Sequence, residues 1–328
     1  MRTEETPRKS VLVVIVNYRS AGLAIDCLRS LAPEIAANPS AKVALVENAS
    51  GDDSADQLAR AIESEGWGGW VELIVAANNG GFAAGNNLAI RPALNSPTPP
   101  DLVWLLNPDT IVRPGALGEL IDFLDRRPEA GLVGSRLECL DGTPQFSAFN
   151  FPSIRGELVE GLRLHLVTKI LSRNAAALSM PTGECQVDWV AGASLMIRRA
   201  VFDAVGVLDD GYFMYFEEVD FCLKASRAGW PCWYAPGSRV VHLVGQSSGV
   251  TNPATGRKRR PRYWFDARRR YFVANHGRLR SVAADLTFAL AFGLYRVRAA
   301  IQRKPDNNPQ WFLRDFVRYS FFPMKFSR

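Results

Sequence analysis

The sequence predicts an α/β protein built on a doubly wound, mostly parallel β-sheet. Over residues 11–126, short apolar segments alternate with segments of helical apolar spacing. The apolar segments end in polar residues, at Asn17, Glu47, Asn78 and Asp109. In sheets of this type, ligands bind beyond the carboxyl ends of the strands, so these residues mark the expected binding edge.

Each element follows from a local pattern. Continuous apolar runs predict buried strands. We place these strands at residues 11–16, 42–46, 71–76 and 102–106. Turn residues followed by helical spacing predict helices. We place these helices at residues 21–31, 54–65, 114–126 and from about residue 86 onward. Farther along, residues 187–197 have strand character, residues 218–228 have helical spacing, and residues 142–180 indicate an irregular insertion.

The charge distribution divides the chain into two parts. Residues 1–250 contain 21 Lys and Arg against 29 Asp and Glu, whereas residues 251–328 contain 18 against 4. The composition, 47% hydrophobic and 22% charged, is that of a globular protein and excludes the disordered class. We predict a folded domain over residues 1–250 and a basic, aromatic-rich helical extension over residues 251–328. Such an extension favours a polyanionic partner, either a membrane or a nucleic acid.

The cysteines and the apolar segments indicate a cytoplasmic protein. The five cysteines have no paired spacing, so neither a disulfide framework nor a zinc site is predicted. The apolar run after the polar N-terminus is too short for a signal peptide. The longest weakly charged apolar stretch, residues 281–295, is shorter than the ~20 residues that a spanning helix needs. We therefore expect no transmembrane segment.

Asp109 and His242 are candidate metal ligands. A carboxylate at a strand end can hold a divalent cation that bridges two phosphates, and a neutral imidazole can complete the ligand shell of the metal. The alternative for Asp109 is a helix cap, and the alternative for His242 is a structural role. Glu47, followed by Asn48, could accept the imide N–H of uracil or thymine; the alternative is again a turn and a helix cap.

Two further segments suit phosphate binding or catalysis. In residues 78–87, glycines would let the backbone approach a phosphate at a helix N-terminus, although a structural loop is an equally simple interpretation. Residues 215–220 place Glu217, Glu218 and Asp220 at the start of a helix, where an ionised carboxylate can accept the proton of an attacking hydroxyl. Helix capping is the alternative, but the aromatic residues preceding these acids favour function.

Seven stretches of the chain form an ordered set. They are VVIVNY at residues 13–18, VENASGDDS at 46–54, NNGGFAAGNN at 78–87, WLLNPDT at 104–110, WVAGASLMIRR at 189–199, FMYFEEVDFCLKASRAGW at 213–230 and HLVGQSS at 242–248. In this order they resemble the family 2 glycosyltransferases of the GT-A fold, especially the bacterial rhamnosyltransferase-like branch. The resemblance extends over about residues 11–250.

The resemblance implies an inverting sugar transfer that depends on a divalent cation, Mg²⁺ or Mn²⁺. Asp109 would be the metal ligand in the family's D-x-D motif, with Asn107 at the position that often holds the first Asp. His242 would contact the metal or the diphosphate. Glu47 stands where the family usually has an Asp that binds the base. The donor nucleotide would lie on Asn17, Tyr18, Glu47, Asn48, Asn78, Gly81, Phe82, Asn86 and Asn107.

The resemblance also implies a catalytic base and a substrate class. Glu218 occupies the position of the family's catalytic Asp, and Glu217 and Asp220 remain rivals for this role. The donor implied by this branch is dTDP-rhamnose, with another hexose from a UDP-sugar as the alternative. The acceptor would be a glycan or a polyprenyl-diphosphate-linked glycan in cell-surface polysaccharide synthesis. The sugar pocket would be lined by Asp188, Trp189 and Gly192.

The basic extension leaves several interpretations open. Basic clusters interleaved with aromatic residues over residues 257–280 suit an anionic membrane at the inner face of the plasma membrane. A helical hairpin with solvated or paired arginines fits equally well. Arg262, Tyr263 and residues 268–270 could also close over the donor diphosphate.

Two other function classes are alternatives to a glycosyltransferase. A nucleic-acid-binding protein would explain the basic extension, but the chain has no recognition-helix or RNA-binding motif, so no nucleic acid is expected. A sugar nucleotidyltransferase would favour a glycine-rich phosphate loop after the first strand. The sequence at that point is Asn17-Tyr18-Arg19-Ser20.

Overall fold

A mixed β-sheet forms the centre of the protein. The computed structural model describes residues 9–171, 180–243 and 258–322. The strands are β1 (Val11–Asn17), β2 (Ala41–Glu47), β3 (Val71–Val75), β4 (Leu102–Leu106), β5 (Thr110–Val112), β6 (Leu132–Glu138), β7 (Ala148–Phe149), β8 (Cys185–Val187), β9 (Trp189–Val190), β10 (Ser194–Arg198) and β11 (Cys232–His242). Within the described residues, the main sheet has nine strands in the order β3–β2–β1–β4–β10–β6–β11–β5, with β8 on β11, and β7 pairs with β9.

Helices cover both faces of the main sheet. They are α1 (Ala21–Ala37), α2 (Ser54–Ser64), α3 (Gly81–Leu94), α4 (Ala116–Arg126), α5 (Ile154–Leu162), α6 (His165–Ile170), α7 (Arg199–Val205), α8 (Glu217–Arg227), α9 (Arg262–His276), α10 (Arg278–Ile301) and α11 (Phe312–Phe321). One face packs against α1, α2 and α4, and the other packs against α3, α7 and α8. The predicted doubly wound α/β class is confirmed.

The first half of the sheet is parallel. β1 lies between β2 and β4, and β3 pairs with the other side of β2. The register places Asn17 opposite Glu47 and Glu47 opposite Val75, so these strands end at one edge. Burial on both faces explains the continuous apolar runs of β1, β4 and residues 43–46 of β2, whereas β3 at the sheet edge contains the exposed Glu72 and Val75. The four predicted strands are confirmed.

The second half of the sheet mixes parallel and antiparallel strands, and the sequence pattern predicts fewer of them. β10 is antiparallel to β4 and β6, while β11 is parallel to β6 and antiparallel to β5 and β8. The single strand expected at residues 187–197 is divided among β8, β9 and β10. A turn at residues 191–193 separates β9 from β10. Neither β6 nor β11 was predicted. β11 contains Pro236 and Gly237, which are typical of turns, and its register shifts between Ala235 and Arg239 to accommodate them.

Helix α3 begins at Gly81, whereas the sequence predicted a start near residue 86. The side-chain oxygen of Asn79 accepts the backbone N–H of Gly81 at 2.9 Å, and the carbonyl of Phe213 accepts that of Phe82 at 2.7 Å. These bonds satisfy N–H groups that a helix leaves without an internal partner at its start. Phe213 is distant in sequence, so the local pattern did not reveal this contact.

The C-terminal extension is helical, as predicted, and packs against the central insertion. Helix α10 contacts α5 so closely that a Cβ atom on Gly161 would lie 2.6 Å from the Cβ of Ala291. No described helix combines the length and apolarity that a membrane crossing requires. The boundary expected at residues 250 and 251 lies outside the described residues and stays a prediction. Helices α9, α10 and α11 share a core of Phe265, Phe288, Phe292, Phe312 and Phe316.

Candidate active site

Turns after β1 and β2 build the edge that was predicted to bind the nucleotide. The backbone N–H of Asn48 donates to the carbonyl of Asn17 at 2.8 Å, and the Glu47 carboxylate accepts the backbone N–H of Ser50 at 2.9 Å. Tyr18 and the neighbouring Arg19 are exposed at this edge. Asn17 Nδ2 and Asn48 Oδ1 are buried and lack a hydrogen-bond partner among the described residues. Buried polar atoms of this kind suit a ligand that completes their hydrogen bonds.

The glycine-rich loop packs against two other segments of the chain. Asn48 Nδ2 donates to the side-chain oxygen of Asn79 and to the carbonyl of Gly81, both at 3.1 Å. Gly81 has a φ of +85°, and a Cβ atom there would lie 1.9 Å from the carbonyl oxygen of Phe213. Glycine is therefore required at residue 81 by the approach of the segment that precedes α8.

The remaining predicted donor residues of this loop have different environments. Asn78 is exposed. Asn86 is buried, and its side chain donates to the carbonyl of Phe82 at 2.9 Å, which supports α3. The Phe82 ring lies beside Gly192, where an added Cβ atom would be 3.6 Å from a ring carbon. Phe82 thus connects the loop to the predicted sugar pocket, and the roles of the three donor residues stay predictions.

Asp109 and His242 meet, as the sequence predicted. Strands β5 and β11 pair so that His242 lies opposite Thr110, and the backbone N–H of Leu243 donates to the Asp109 carbonyl at 2.9 Å. An Asp109 carboxylate oxygen lies 3.5 Å from Nε2 of His242. Two ligands at about 2.1 Å from one cation lie roughly 3 Å apart, so this pair fits a divalent cation.

The pair needs further ligands from a substrate or from water. Across residues 9–171, 180–243 and 258–322, no group of three or more His, Cys, Asp and Glu could hold a metal ion. Magnesium typically binds through one or two carboxylates and substrate phosphates and retains water. The donor-binding role expected for Asn107 stays a prediction. The residues after His242 that belong to the predicted motif, 244–248, lie outside the described part of the chain.

Glu217 and Glu218 begin α8 after two aromatic residues in the left-handed backbone conformation. The φ angles are 73° at Tyr215 and 69° at Phe216. This conformation is unfavourable for bulky residues and clusters at functional sites. Burial raises the pKa of both glutamates, and the charge of Glu218 raises the pKa of Glu217 further. One oxygen of each carboxyl group is buried without a partner in the described chain.

The three predicted acids have separate surroundings. Glu218 lies beside Gly192 at the predicted sugar pocket, where a Cβ atom added to Gly192 would be 3.7 Å from the Cβ of Glu218. Asp220 instead accepts the side-chain N–H of Asn275 at 2.6 Å and pairs with Lys224 at 2.7 Å, so it stabilises the contact between α8 and α9. This geometry favours Glu218 as the base, and the assignment stays a prediction.

A short series of contacts connects the metal pair to Glu218. The backbone N–H of Asn107, two residues before Asp109, donates to the carbonyl of Ala193 at 3.0 Å. The neighbouring Gly192 lies beside Glu218, where an added Cβ atom would be 3.7 Å from the Cβ of Glu218. The segment at residues 192–193 therefore lies between the strand end that carries Asp109 and the start of α8.

An aromatic cavity of about 340 Å³ adjoins Glu218. Trp189 stacks on Phe149, with 4.2 Å between ring centres, and lines the cavity as predicted for the sugar pocket. Asp188 accepts the backbone N–H of Phe151 at 2.6 Å and so holds the segment against which Trp189 packs. The other walls include Phe216, Arg260, Trp264, Phe288 and Phe312.

The arginines of α9 bind protein groups. Arg268 is buried and pairs with Glu157 at 2.9 Å and with Asp285. Arg270 pairs with Asp209 at 2.8 Å. Because these carboxylates already occupy the two guanidinium groups, the expectation that residues 268–270 close over the diphosphate is not supported for Arg268 and Arg270.

Comparison with known proteins identifies the family. Residues 7–272 match the sequence profile described as "Glycosyltransferase like family 2". The chain belongs to this family. The resemblance drawn from the seven stretches is therefore confirmed.

Rhamnosyltransferases are among the relatives of this family 2 chain. It is 30% identical over 190 residues to the N-acetylglucosaminyl-diphospho-decaprenol L-rhamnosyltransferase of Mycobacterium tuberculosis, covering 55% of the chain and 61% of the relative. It is also 30% identical over 168 residues to Rhamnosyltransferase WbbL of Escherichia coli, covering 50% of the chain and 61% of the relative. The matches thus span about three fifths of these relatives.

Solved structures share the fold of this family 2 chain. The mannosyltransferase PcManGT of Pyrobaculum calidifontis, solved with GDP-Man and Mn²⁺, has a TM-score of 0.59 at 14% identity, over 98% of this chain and 89% of that structure. GalNAc-T7, solved with UDP, GalNAc and Mn²⁺, has a TM-score of 0.57 at 16% identity, over 96% of this chain and 59% of that structure. At these identities the likeness establishes the fold alone, and the predicted GT-A fold is confirmed.

The sequence did not reveal the C-terminal walls of the cavity in this family 2 chain. Arg260 and Trp264 lie in or next to α9, and Phe312 begins α11, yet all three line a cavity against Glu218 of α8. The interleaved basic and aromatic residues of the extension were the available signal. That signal predicts a contact of the extension with a membrane surface, the acceptor or the diphosphate, but it does not specify which residues line a pocket.

Proposed function

We propose that this chain is an inverting, metal-dependent glycosyltransferase. It transfers a hexose from a nucleotide diphosphate to a hydroxyl of a glycan or lipid-linked glycan. The observation that carries the proposal is the contiguity of the Asp109–His242 pair with Glu218, through residue 107 and residues 192–193. A single displacement needs groups for the leaving diphosphate and for the attacking hydroxyl in one cleft.

The donor side of the cleft would be formed by the strand-end edge. Asp109 and His242 would hold Mg²⁺ or Mn²⁺, which when bound neutralises charge on the departing diphosphate. Tyr18 would stack on the base, and the buried amides of Asn17 and Asn48 would complete their hydrogen bonds on the nucleoside. The Mn²⁺ in both compared structures supports a divalent cation here.

Glu218 would accept the proton of the acceptor hydroxyl as its oxygen attacks the anomeric carbon. Burial keeps the pKa of Glu218 above the ordinary glutamate value, which makes its carboxylate a stronger base. Glu217, whose pKa is raised further, would stay protonated beside it, so that only one of the two is charged. Attack opposite the leaving diphosphate inverts the configuration of the sugar.

The relatives support a finer proposal for the substrates. Their printed names specify rhamnosyl transfer, so we propose dTDP-rhamnose as the donor, with a UDP-hexose as the alternative. The mycobacterial relative is named for a diphospho-decaprenol acceptor. We accordingly propose a polyprenyl-diphosphate-linked glycan whose terminal sugar enters the cavity beside Trp189 and Glu218. The protein would then act from the cytoplasm at the inner membrane face in cell-surface polysaccharide synthesis.

A donor screen tests this function. The protein is incubated with dTDP-rhamnose, UDP-hexoses or GDP-mannose, with Mg²⁺, Mn²⁺ or EDTA, and with N-acetylglucosaminyl-diphospho-lipid. Nucleotide diphosphate release and the mass of the lipid product are measured. We expect release and a product only with metal, and most with dTDP-rhamnose. Absence of turnover with every donor, or consumption of a nucleoside triphosphate in its place, would contradict the proposal.

A further inference from the structure

Helix α10 carries an exposed apolar stripe along its whole length. Leu279 is 89% exposed, Leu290 is 68% exposed and Ile301 is 78% exposed. Side chains this exposed and this apolar usually occur singly on a protein surface, and a contiguous row of them marks an interaction surface. The stripe consists of Leu279, Val282, Leu286, Leu290, Leu294, Val297 and Ile301.

The stripe occupies one face of the helix. At about 100° per residue, its seven members fall within an arc of roughly 120°. The opposite face carries Ala284, Phe288 and Phe292, which are buried against the neighbouring helices. Helix α10 therefore already packs on the protein with one apolar face and presents a second one outward over 24 residues.

Cations border the stripe on both sides. Arg278 and Arg296 lie about 100° from its centre on one side, and Arg280 and Arg298 lie about 100° away on the other. Arg296 pairs with Asp306, and Arg298 donates to the carbonyls of residues 162 and 163 at 2.9 and 3.0 Å. Long basic side chains placed in this way can keep their charges at a polar boundary while the apolar row is buried. The acidic residue of α10 is Asp285, which is buried and paired with Arg268.

The charges argue against a second copy of this chain as the partner. A parallel pair of α10 helices would place Arg278 and Arg280 against the same residues of the other copy. An antiparallel pair would place them against Arg296 and Arg298. Either arrangement sets like charges against each other. Asp285 is too buried to compensate them, and Asp306 compensates Arg296 but not Arg278 and Arg280.

We propose that α10 is a membrane-docking helix that lies in the plane of an anionic lipid surface. Its apolar stripe would enter the headgroup–acyl boundary, and Arg278 and Arg280 would pair with lipid phosphates. Residues 303 and 304, a further Arg and Lys, follow the helix and are exposed, which extends the basic border. This inference is independent of the donor chemistry proposed above.

Vesicle sedimentation of the full chain tests the proposal. The probes are vesicles of phosphatidylglycerol mixed with phosphatidylcholine, and vesicles of phosphatidylcholine alone. The variant Leu290→Glu is compared with Leu88→Glu, which makes the same change at an exposed position of α3. We expect wild type and Leu88→Glu to bind the anionic vesicles alike, and Leu290→Glu to bind at least about tenfold more weakly. A double Arg278→Glu and Arg280→Glu variant should lose the preference for phosphatidylglycerol.

Other outcomes would overturn the docking role. Equal partitioning of Leu290→Glu and Leu88→Glu, or no binding by a folded wild type, would reject the stripe as a lipid contact. A dimer by light scattering that becomes a monomer in Leu290→Glu, without vesicle binding, would assign the face to a second copy. No sugar donor is present in this test, so its failure and the failure of the transferase proposal are distinguishable.

Discussion

Replacement of Glu218 by glutamine should abolish most turnover while leaving the fold intact. The amide has nearly the same shape and volume as the carboxyl group, so the packing of residue 218 beside Gly192 should be retained. The amide cannot take up the proton of the acceptor hydroxyl. General-base catalysis contributes roughly 10²–10⁴ to a rate. We therefore expect kcat to fall by about three decades, which corresponds to about 4 kcal/mol of transition-state stabilisation.

Two matched variants separate the rivals for this role. Glu217→Gln resembles the protonated form that burial and Glu218 favour, so its kcat should remain within about threefold of wild type. Asp220→Asn weakens the contacts to Lys224 and Asn275, so it should lower the free energy of unfolding by about 1–3 kcal/mol with a smaller effect on kcat. Nucleotide diphosphate release at saturating donor and acceptor measures kcat, and thermal unfolding measures stability.

The pH dependence adds a check on the base. The raised pKa of Glu218 predicts an acid limb of kcat/KM that lies above the ordinary glutamate range near 4.5. A Glu218→Gln enzyme with near wild-type kcat, together with an inactive Glu217→Gln enzyme, would refute this reasoning.

Two further predictions concern stability. Gly81→Ala forces an alanine to φ +85° against the carbonyl of Phe213, so it should destabilise the protein by more than about 2 kcal/mol in chemical denaturation. Gly118→Ala in α4 meets no atom within 4 Å and should instead stabilise by about 0.5–1 kcal/mol; equal effects would contradict the packing described for the loop. Because the folded-state pKa of Glu217 is raised, its contribution to stability is lost as pH rises above about 4.5. Glu217→Gln should therefore gain thermal stability over wild type between pH 5 and pH 8, and a difference independent of pH would disprove the assignment.

The strand-end edge could be predicted because its determinants are local. Each strand of the parallel half has a short, mostly apolar sequence, and the polar residue at its end, such as Asn17 or Glu47, belongs to the same short stretch of sequence. The pairing of Asp109 with His242 also followed from motif order. In contrast, β11 has Pro236 and Gly237 inside it, and its pairing partners stabilise it where local pattern predicts a turn.

The different environments of the three acids at the start of α8 arise from residues that are distant in sequence. Glu217, Glu218 and Asp220 are all acidic and lie within one helical turn, so the sequence alone does not distinguish their roles. Their difference arises because Asn275, 55 residues away, binds Asp220, while Glu218 lies beside Gly192. Similarly, the start of α3 is set by the carbonyl of residue 213, and the cavity is closed by helices from the far end of the chain.

Metal-dependent binding of the nucleotide diphosphate tests the central claim most directly. Calorimetric titration of dTDP or UDP with Mn²⁺ present is compared for wild type, Asp109→Asn and Glu218→Gln. If Asp109 and His242 hold the cation on the diphosphate while Glu218 acts only on the acceptor, Asp109→Asn should bind at least about tenfold more weakly and lose its dependence on Mn²⁺. Glu218→Gln should bind as wild type does. Undiminished, Mn²⁺-dependent binding by Asp109→Asn, or equal losses in both variants, would contradict the account.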